Sequence, residues 1–417
     1  MRAHVKTILS FCFILVLFSI GCAPITLFPQ LRIETGMHTA AVTSIDIDRK
    51  EHFFVTSSLD KTVRIWSLED GSLLKTLRVP VGDNHDGKIY TCAISPDGKL
   101  IAAGGYTGSH SAGMSVYIFD RTSGKIISRI SGLPEVIHHL TFSRNGRYLA
   151  ATLGGSKGIH VWETNAWSLR FQDPAYGDSS HWADFDPNGR LLTTSYDGLV
   201  RLYSGDFNLL TSIKPPGGKK PYCAVFSPAG NKIAVGFNDT INIDILSGEN
   251  LLRIYSPDTI SILRGRPYVP NTSNTMDGNL GTVCWSKDGT TVYSGGIYNE
   301  NGVVPINSWT NEGRGEYHQI DVGATNSIVG LKPISKGLLY SVYDSSFGIY
   351  SDQNHVTLRR KAASIDPRKN IKNFLISYDG STVQLALGLG NERPVQFSLR
   401  KHQLRPVDDL PNHADMI

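Results

Sequence analysis

Few residues in this chain are spaced for bond-making chemistry. His138-His139 is an adjacent imidazole pair, but neighbouring strand residues point to opposite faces, so the two do not readily grip one ion. No third ligand is spaced to join them, so no metal site is expected. The sequence holds no phosphate-binding loop, no GxSxG elbow and no HExxH pair, so no catalytic residue and no cofactor is expected. Cys92, Cys223 and Cys284 have no CxxC spacing, and buried small residues account for them better than a Cys223–Cys284 bridge. What remains is a column of side chains suited to binding. Tyr90, His138, His181 and Tyr222 each precede a short apolar strand by the same offset, and each offers an apolar body with a polar tip.

The elements that position this column are short strands in repeated sets. His38 to Trp66 holds an alternating segment, Val42 to Ile47, then a polar break, an apolar run at Phe53 to Val55, and a second alternation at Val63 to Trp66. Leu73 to Leu77 supplies a fourth strand. A lone sheet of this size has two faces to bury and must stack on copies of itself. The turn after the first strand recurs as Ser95-Pro96-Asp97-Gly98, Ser143-Arg144-Asn145-Gly146, Asp186-Pro187-Asn188-Gly189, Ser227-Pro228-Ala229-Gly230, Ser286-Lys287-Asp288-Gly289 and Ser377-Tyr378-Asp379-Gly380. Lys332 to Gly337 is a weaker copy. In these turns Pro presets φ, Asp or Asn bonds its own backbone, and Gly accepts a positive φ.

Aligning the last apolar residue of each first strand gives Ile47, Ile94, Phe142, Phe185, Phe226, Trp285, Leu331 and Ile376, about eight units. The fold class expected is all-β: a closed propeller of four-stranded antiparallel blades, eight of them with seven as the alternative. Leu31 to Glu34 is expected to close the ring as a leading strand that joins the last blade. Four residues before each aligned position stand Thr43, Tyr90, His138, His181, Tyr222, Gly281, Ser327 and Lys372. Period two places them at the entry end of the strand, around the mouth of a central channel. Tyr90, His138, His181, Tyr222 and Lys372 are the candidate partner-binding rim.

The chain has 417 residues, with 41 Lys and Arg against 37 Asp and Glu. The resulting charge of +4 is a poor field for phosphates and argues against nucleic acid. At the start, Arg2 and Lys6 precede an apolar run from Ile8 to Ile20, too short for a comfortable membrane span. The run ends in Ser19-Ile20-Gly21-Cys22, which resembles the bacterial lipobox. That resemblance implies cleavage after residue 21 and a lipid on Cys22, with Ala23 favouring the outer membrane facing the periplasm in a two-membrane cell. The boundaries expected are 1–21 signal peptide, 22–30 tether, 31–407 propeller and 408–417 tail.

Ser58-Leu59-Asp60-Lys61-Thr62-Val63-Arg64-Ile65-Trp66 resembles the signature of WD-repeat β-propellers. In that family a His, a Ser, the turn Asp and the Trp form a buried relay, which the resemblance places at His38, Ser58, Asp60 and Trp66. It also implies a non-catalytic scaffold for a protein or peptide, monomeric or part of a hetero-complex, here tethered to the membrane of a bacterial envelope. The propeller lipoprotein of the outer-membrane protein assembly machine offers an architectural analogy. More loosely, the chain resembles the propeller part of bacterial proteins that fuse WD repeats to a caspase-like peptidase. It has no QACRG-like segment, so the peptidase activity is not carried over. The alternative function is a propeller enzyme of lactonase or quinoprotein type, which needs acidic or imidazole ligands converging on the channel.

Overall fold

The computed structural model describes residues 36–82, 85–108, 113–257, 279–299, 302–351, 353, 355–361, 371–376, 381–387, 395–400 and 403–406, without the side chains of 361 and of the last four strands. The expected signal peptide, Cys22, the tether, Leu31 to Glu34 and the tail lie outside the described residues.

The first repeat folds as β1 (Val42–Ile47), β2 (Phe53–Ser58), β3 (Thr62–Ser67) and β4 (Leu73–Arg78), paired antiparallel in chain order. The recurring Ser turns hold the first hairpin of several blades. Ser95 Oγ accepts the N–H groups of Lys99 and Leu100 and donates to Asp97, while Gly98 takes φ 71°. Six further blades follow, with inner strands Lys88–Ile94, Ile137–Phe142, Ser180–Phe185, Pro221–Phe226, Thr282–Trp285 and Ile328–Ile334.

The ring has seven blades, not the expected eight. Among the described residues there are seven buried apolar clusters, one at each junction between neighbouring blades. The last of them joins the seventh blade to the first: Phe347 packs on Trp66 at 4.6 Å and on Phe54 at 5.0 Å between ring centroids. Gly330 lets Ile45 approach, since a Cβ there would meet the Ile45 methyl. Glu51 of the first blade completes the seam on the turn side, accepting from Ser335 of the seventh blade and pairing with Lys287 of the sixth. The final repeat does form a four-stranded sheet, Ile371–Ile376, Thr382–Leu387, Val395–Arg400 and Gln403–Pro406, but the ring closes without it. Closure by a leading strand is not seen either. Each blade is built from four consecutive strands, and the seam is side-chain packing. A sequence repeat reveals how many sheets the chain can make; it does not reveal which two share a face.

The inner strands are cross-linked from blade to blade by side chain to backbone bonds. Asp46 accepts the Ile94 N–H at 2.9 Å, Thr91 the Leu140 N–H at 2.9 Å, and Asp184 the Phe226 N–H at 2.9 Å. Lys332 of the seventh blade pairs with Asp46 at 2.9 Å, and the Asp184 charge also favours its protonated form. Asp184 belongs to the fourth blade, so that interaction runs across the channel.

The relay of the first blade is present with a different hydroxyl. Trp66 Nε1 donates to Thr56 Oγ1 at 2.8 Å; Thr56 meets His38 Nε2 at 2.7 Å; His38 Nδ1 meets Asp60 at 2.9 Å. Burial lowers the His38 pKa despite the pull of Asp60, so the imidazole is neutral. With Nδ1–H donating to the carboxylate, Nε2 accepts from the Thr56 hydroxyl, and every polar atom of the series has a partner. Ser58 stands beside this series: it donates to the Ala40 carbonyl and accepts the Asp60 N–H. The register explains the difference. Trp66 pairs with Phe54 across the hairpin, so the next hydroxyl on the same face is Thr56, and Ser58 lies further along at the turn.

The fourth blade repeats the device with other residues. Thr193 occupies the Thr56 place and bonds Tyr176 at 2.7 Å, Tyr176 meets Tyr203 at 3.0 Å, and Asp197 pairs with Arg201 at 2.7 Å. Tyr176 thus stands where the first blade has His38, a substitution that a search for His does not find. His85 forms no such relay; it is exposed and bonds Lys88 Nζ.

Candidate functional site

One cavity of about 550 Å³ opens at the end of the ring where the inner strands begin. It is lined by Thr43, Tyr90, His138, His181, Tyr222, Gly281 and Ser327, the column read from the sequence within the ring. Lys372 belongs to the first strand of the sheet outside the ring, and its side chain lies outside the described residues.

The backbone feature that delivers these residues is a β-bulge. Val42 pairs with Ser58 and Ser44 with Ser57, which leaves Thr43 as the extra residue. Tyr90, His138, His181 and Tyr222 are the extra residues of the same irregularity in the second to fifth blades. A bulge re-aims the side chain it inserts and breaks the strict alternation of faces. Two expectations change as a result. His138 and His139 both line the cavity, as do His181 and Trp182, although each pair is adjacent in sequence. In the seventh blade the bulge falls at Val329, because Ile328 pairs with Val342 and Gly330 with Ser341. The register equivalent of Thr43 is therefore Val329, and both Val329 and Ser327 line the cavity. The sequence alignment on Leu331 was displaced by two because that inner strand runs on to Ile334 before its turn.

The rings of the second to fifth blades make one wall. His138 and His181 stack at 4.6 Å with planes 7° apart; His181 lies 3.8 Å from Tyr196 and 5.2 Å from Tyr222. Deeper in, His139 stacks on Trp182 at 3.8 Å. Burial disfavours the charged imidazole, holding His181 down to about 3 and His138 and His139 below the usual histidine range. His138 Nδ1 donates to the Ser180 carbonyl at 3.1 Å, and His139 Nδ1 accepts the Ala183 N–H at 3.4 Å. The wall is therefore neutral and aromatic. The opposite arc, from the sixth, seventh and first blades, mixes small residues, Gly281, Gly296, Ser327 and Thr43, with larger ones, Asn279, Ile297, Val329 and Tyr343.

Among the described residues no group of three or more His, Cys, Asp or Glu is arranged to hold a metal. Cys92, Cys223 and Cys284 are free and buried, and burial pushes the Cys92 and Cys223 thiols up to about 12. The channel carboxylates are engaged, Asp46 by Lys332 and Ile94 and Asp184 by Phe226. The arrangement offers flat surfaces and hydrogen bonds to a guest rather than a nucleophile poised by a base.

Three segments, 31–67, 71–120 and 180–204, match the family model for the WD domain, G-beta repeat. The first covers three strands of the first blade and the third covers three strands of the fourth. The chain is 30% identical over 161 residues to the WD repeat-containing protein SL1-17 of Schistosoma mansoni, covering 38% of this chain and 49% of that protein. It is 31% identical over 161 residues to the small ribosomal subunit protein RACK1y of Oryza sativa subsp. japonica, covering 36% and 43%. It is 25% identical over 209 residues to the pre-mRNA-processing factor 19 homolog 2 of Arabidopsis thaliana, covering 48% and 37%. The chain thus spans less than half the length of these relatives. Together the matched repeats, these relatives and the closed ring of four-stranded blades support a WD-repeat propeller.

Proposed function

We propose that this protein is a non-catalytic interaction scaffold that docks a protein or peptide at the mouth of its ring, and that a lipid on Cys22 tethers it in a bacterial envelope. The observation that carries the docking reading is the bulge set. Five successive inner strands each spend a backbone irregularity to turn one side chain into a common cavity. Such irregularities cost regular pairing and are concentrated where a side chain must be re-aimed. The names of two relatives, a small ribosomal subunit protein and a pre-mRNA-processing factor, fit propellers that serve larger assemblies. The tether rests on the Ser19 to Cys22 sequence.

Two experiments test the two halves. Replacing Tyr90, His181 and Tyr222 together by Ala is expected to leave the far-UV circular dichroism spectrum of a propeller and to abolish capture of the native partner by crosslinking in the envelope. Undiminished capture removes the mouth as the docking site. Labelled palmitate should enter the wild-type protein and not Cys22→Ser; equal labelling, or none in either, removes the lipid tether.

A further inference from the structure

We propose that the mouth cavity receives one aromatic side chain of the partner, and that acidic residues flank that aromatic residue in the partner's sequence. This rests on docking at the mouth.

Size comes first. A cavity of about 550 Å³ admits one large side chain with the backbone on either side of it, not a folded surface. Shape comes second. The ring-bearing wall of Tyr90, His138, His181 and Tyr222 gives a flat guest a surface to lie against. The room is set by the glycines: a Cβ at Gly281 would come within 3.3 Å of the Tyr222 ring. Aromatic rings in offset or tilted contact gain beyond the area they bury, and the tilts already in the wall, 32° between His181 and Tyr222, provide both a face and an edge. The buried imidazoles stay neutral at ordinary pH, so they bring no formal charge to the wall.

The surroundings set the sign of the flanks. Asp239, Asp344 and Asp178 stand around the mouth but do not line the cavity, and each is held by donors of the fold. Asp239 accepts the backbone N–H groups of Lys219 and Lys220, Asp344 accepts from Thr325, and Asp178 accepts the Ser179 N–H. The lysines are not so used. Lys88 Nζ bonds the His85 ring, and Lys220 Nζ lies 5.4 Å from the Tyr196 ring centroid. Lys88 is a lining cation, and among the described residues no carboxylate lines the cavity. A partner that brings acids beside its aromatic residue meets the Lys88 ammonium at the lining; one that brings lysines meets that same cation.

The test uses the purified ring-containing chain and three blocked pentapeptides carrying a fluorophore, read by anisotropy: Gly-Glu-Tyr-Glu-Gly, the same with Ala for Tyr, and the same with Lys for Glu. The Ala peptide is expected to bind at least about tenfold more weakly than the first. The Lys peptide is expected to bind about three- to tenfold more weakly, a gap that closes in Lys88→Gln/Lys220→Gln and in high salt. His181→Leu should lose the Tyr preference with its melting transition retained, and Tyr222→Ala is a second variant should the first fail to fold. Equal binding of the Ala and Tyr peptides, tighter binding of the Lys peptide, or no binding of the first peptide at millimolar concentration overturns the proposal. Capture of the native partner by the triple Ala variant separates the two readings. Capture lost while the peptides do not discriminate means that the mouth docks a different guest; capture retained means that the mouth is not the docking site.

Discussion

Replacing Thr56 tests how the first blade is held, because two buried donors and acceptors converge on its hydroxyl. In Thr56→Val the shape is kept and the hydroxyl is lost. The Trp66 indole N–H, now 2.8 Å from an oxygen, and His38 Nε2, at 2.7 Å, are both left without that partner in a buried site. Each orphaned group costs about 1–3 kcal/mol, so the substitution should destabilise the ring by roughly 2–5 kcal/mol, less than the sum where the two losses relax together. Thr56→Ser keeps the hydroxyl and removes one methyl, at about 1 kcal/mol. Ser58→Ala should cost about 1–2 kcal/mol, because the Ala40 carbonyl still accepts from Ser345 and only the Asp60 N–H loses its acceptor. Urea unfolding followed by tryptophan fluorescence and far-UV circular dichroism reads these differences. A double-mutant cycle with Trp66→Phe should show a coupling of about 1 kcal/mol or more, since removing the indole donor spares it the lost acceptor. If Ser58→Ala costs as much as Thr56→Val, or if the Ser and Val variants at position 56 are alike, the relay does not run through Thr56.

Three further outcomes follow from the same structure. The neutral histidines should make the ring acid-sensitive: His38, His138, His139 and His181 have folded pKa values below 6.5, so the unfolded chain binds more protons as pH falls from about 6.5. Stability is full above that value and is lost progressively, for His181 down to about 3, while Asp60, held at about 2 against 3.8, adds loss below pH 4. Asp184, raised by burial, opposes this at the low end; a urea midpoint that does not fall between pH 7 and pH 5 contradicts the neutral assignments. At the seam, Phe347→Ala should cost about 3–5 kcal/mol, and Gly330→Ala about 1–3 kcal/mol because its Cβ would meet Ile45; chemical denaturation with no loss in either denies that the seventh blade packs on the first. Removing residues 362–417 should leave a folded ring with an undiminished melting transition, whereas loss of cooperative melting would make the last sheet part of the closure.

The particular residues show why some features could be read from the sequence and others could not. The strands and their turns were legible because alternation and Ser-Pro-Asp-Gly chemistry are local: the turn at Ser95 is held by bonds within five residues. The mouth column was legible for a related reason, since each strand starts at a fixed offset from its own turn. It failed in the seventh blade, where Ile328–Ile334 is longer and its turn is only Ser335-Lys336, so an offset counted from Leu331 pointed two residues early. The number of blades was legible only as eight or seven, and the main reading, eight, was wrong. Closure is decided by whether Phe347 fits Phe54 and Trp66 across 293 and 281 residues of chain, and no repeat period encodes that fit.

The bulges fall between these cases, and the candidate site depends on them. Nothing in Ile137-His138-His139-Leu140 announces an extra residue, so strict alternation sends the two imidazoles to opposite faces. In the ring, Leu153 pairs with Ile137 and Thr152 with His139, and both imidazoles reach the cavity. A signal was nevertheless present in the sequence. Polar or aromatic residues recur at one offset in five successive strands while the residue before each is apolar or small: Val42, Ile89, Ile137, Ser180 and Pro221. Those five preceding residues are all buried, packed at the start of the strand, and the step after them is the one that leaves the ladder. A buried anchor followed by an unpaired residue fixes where the backbone buckles, so the same local pattern that keeps the ring closed at its axis also turns a Tyr or His toward whatever enters the mouth.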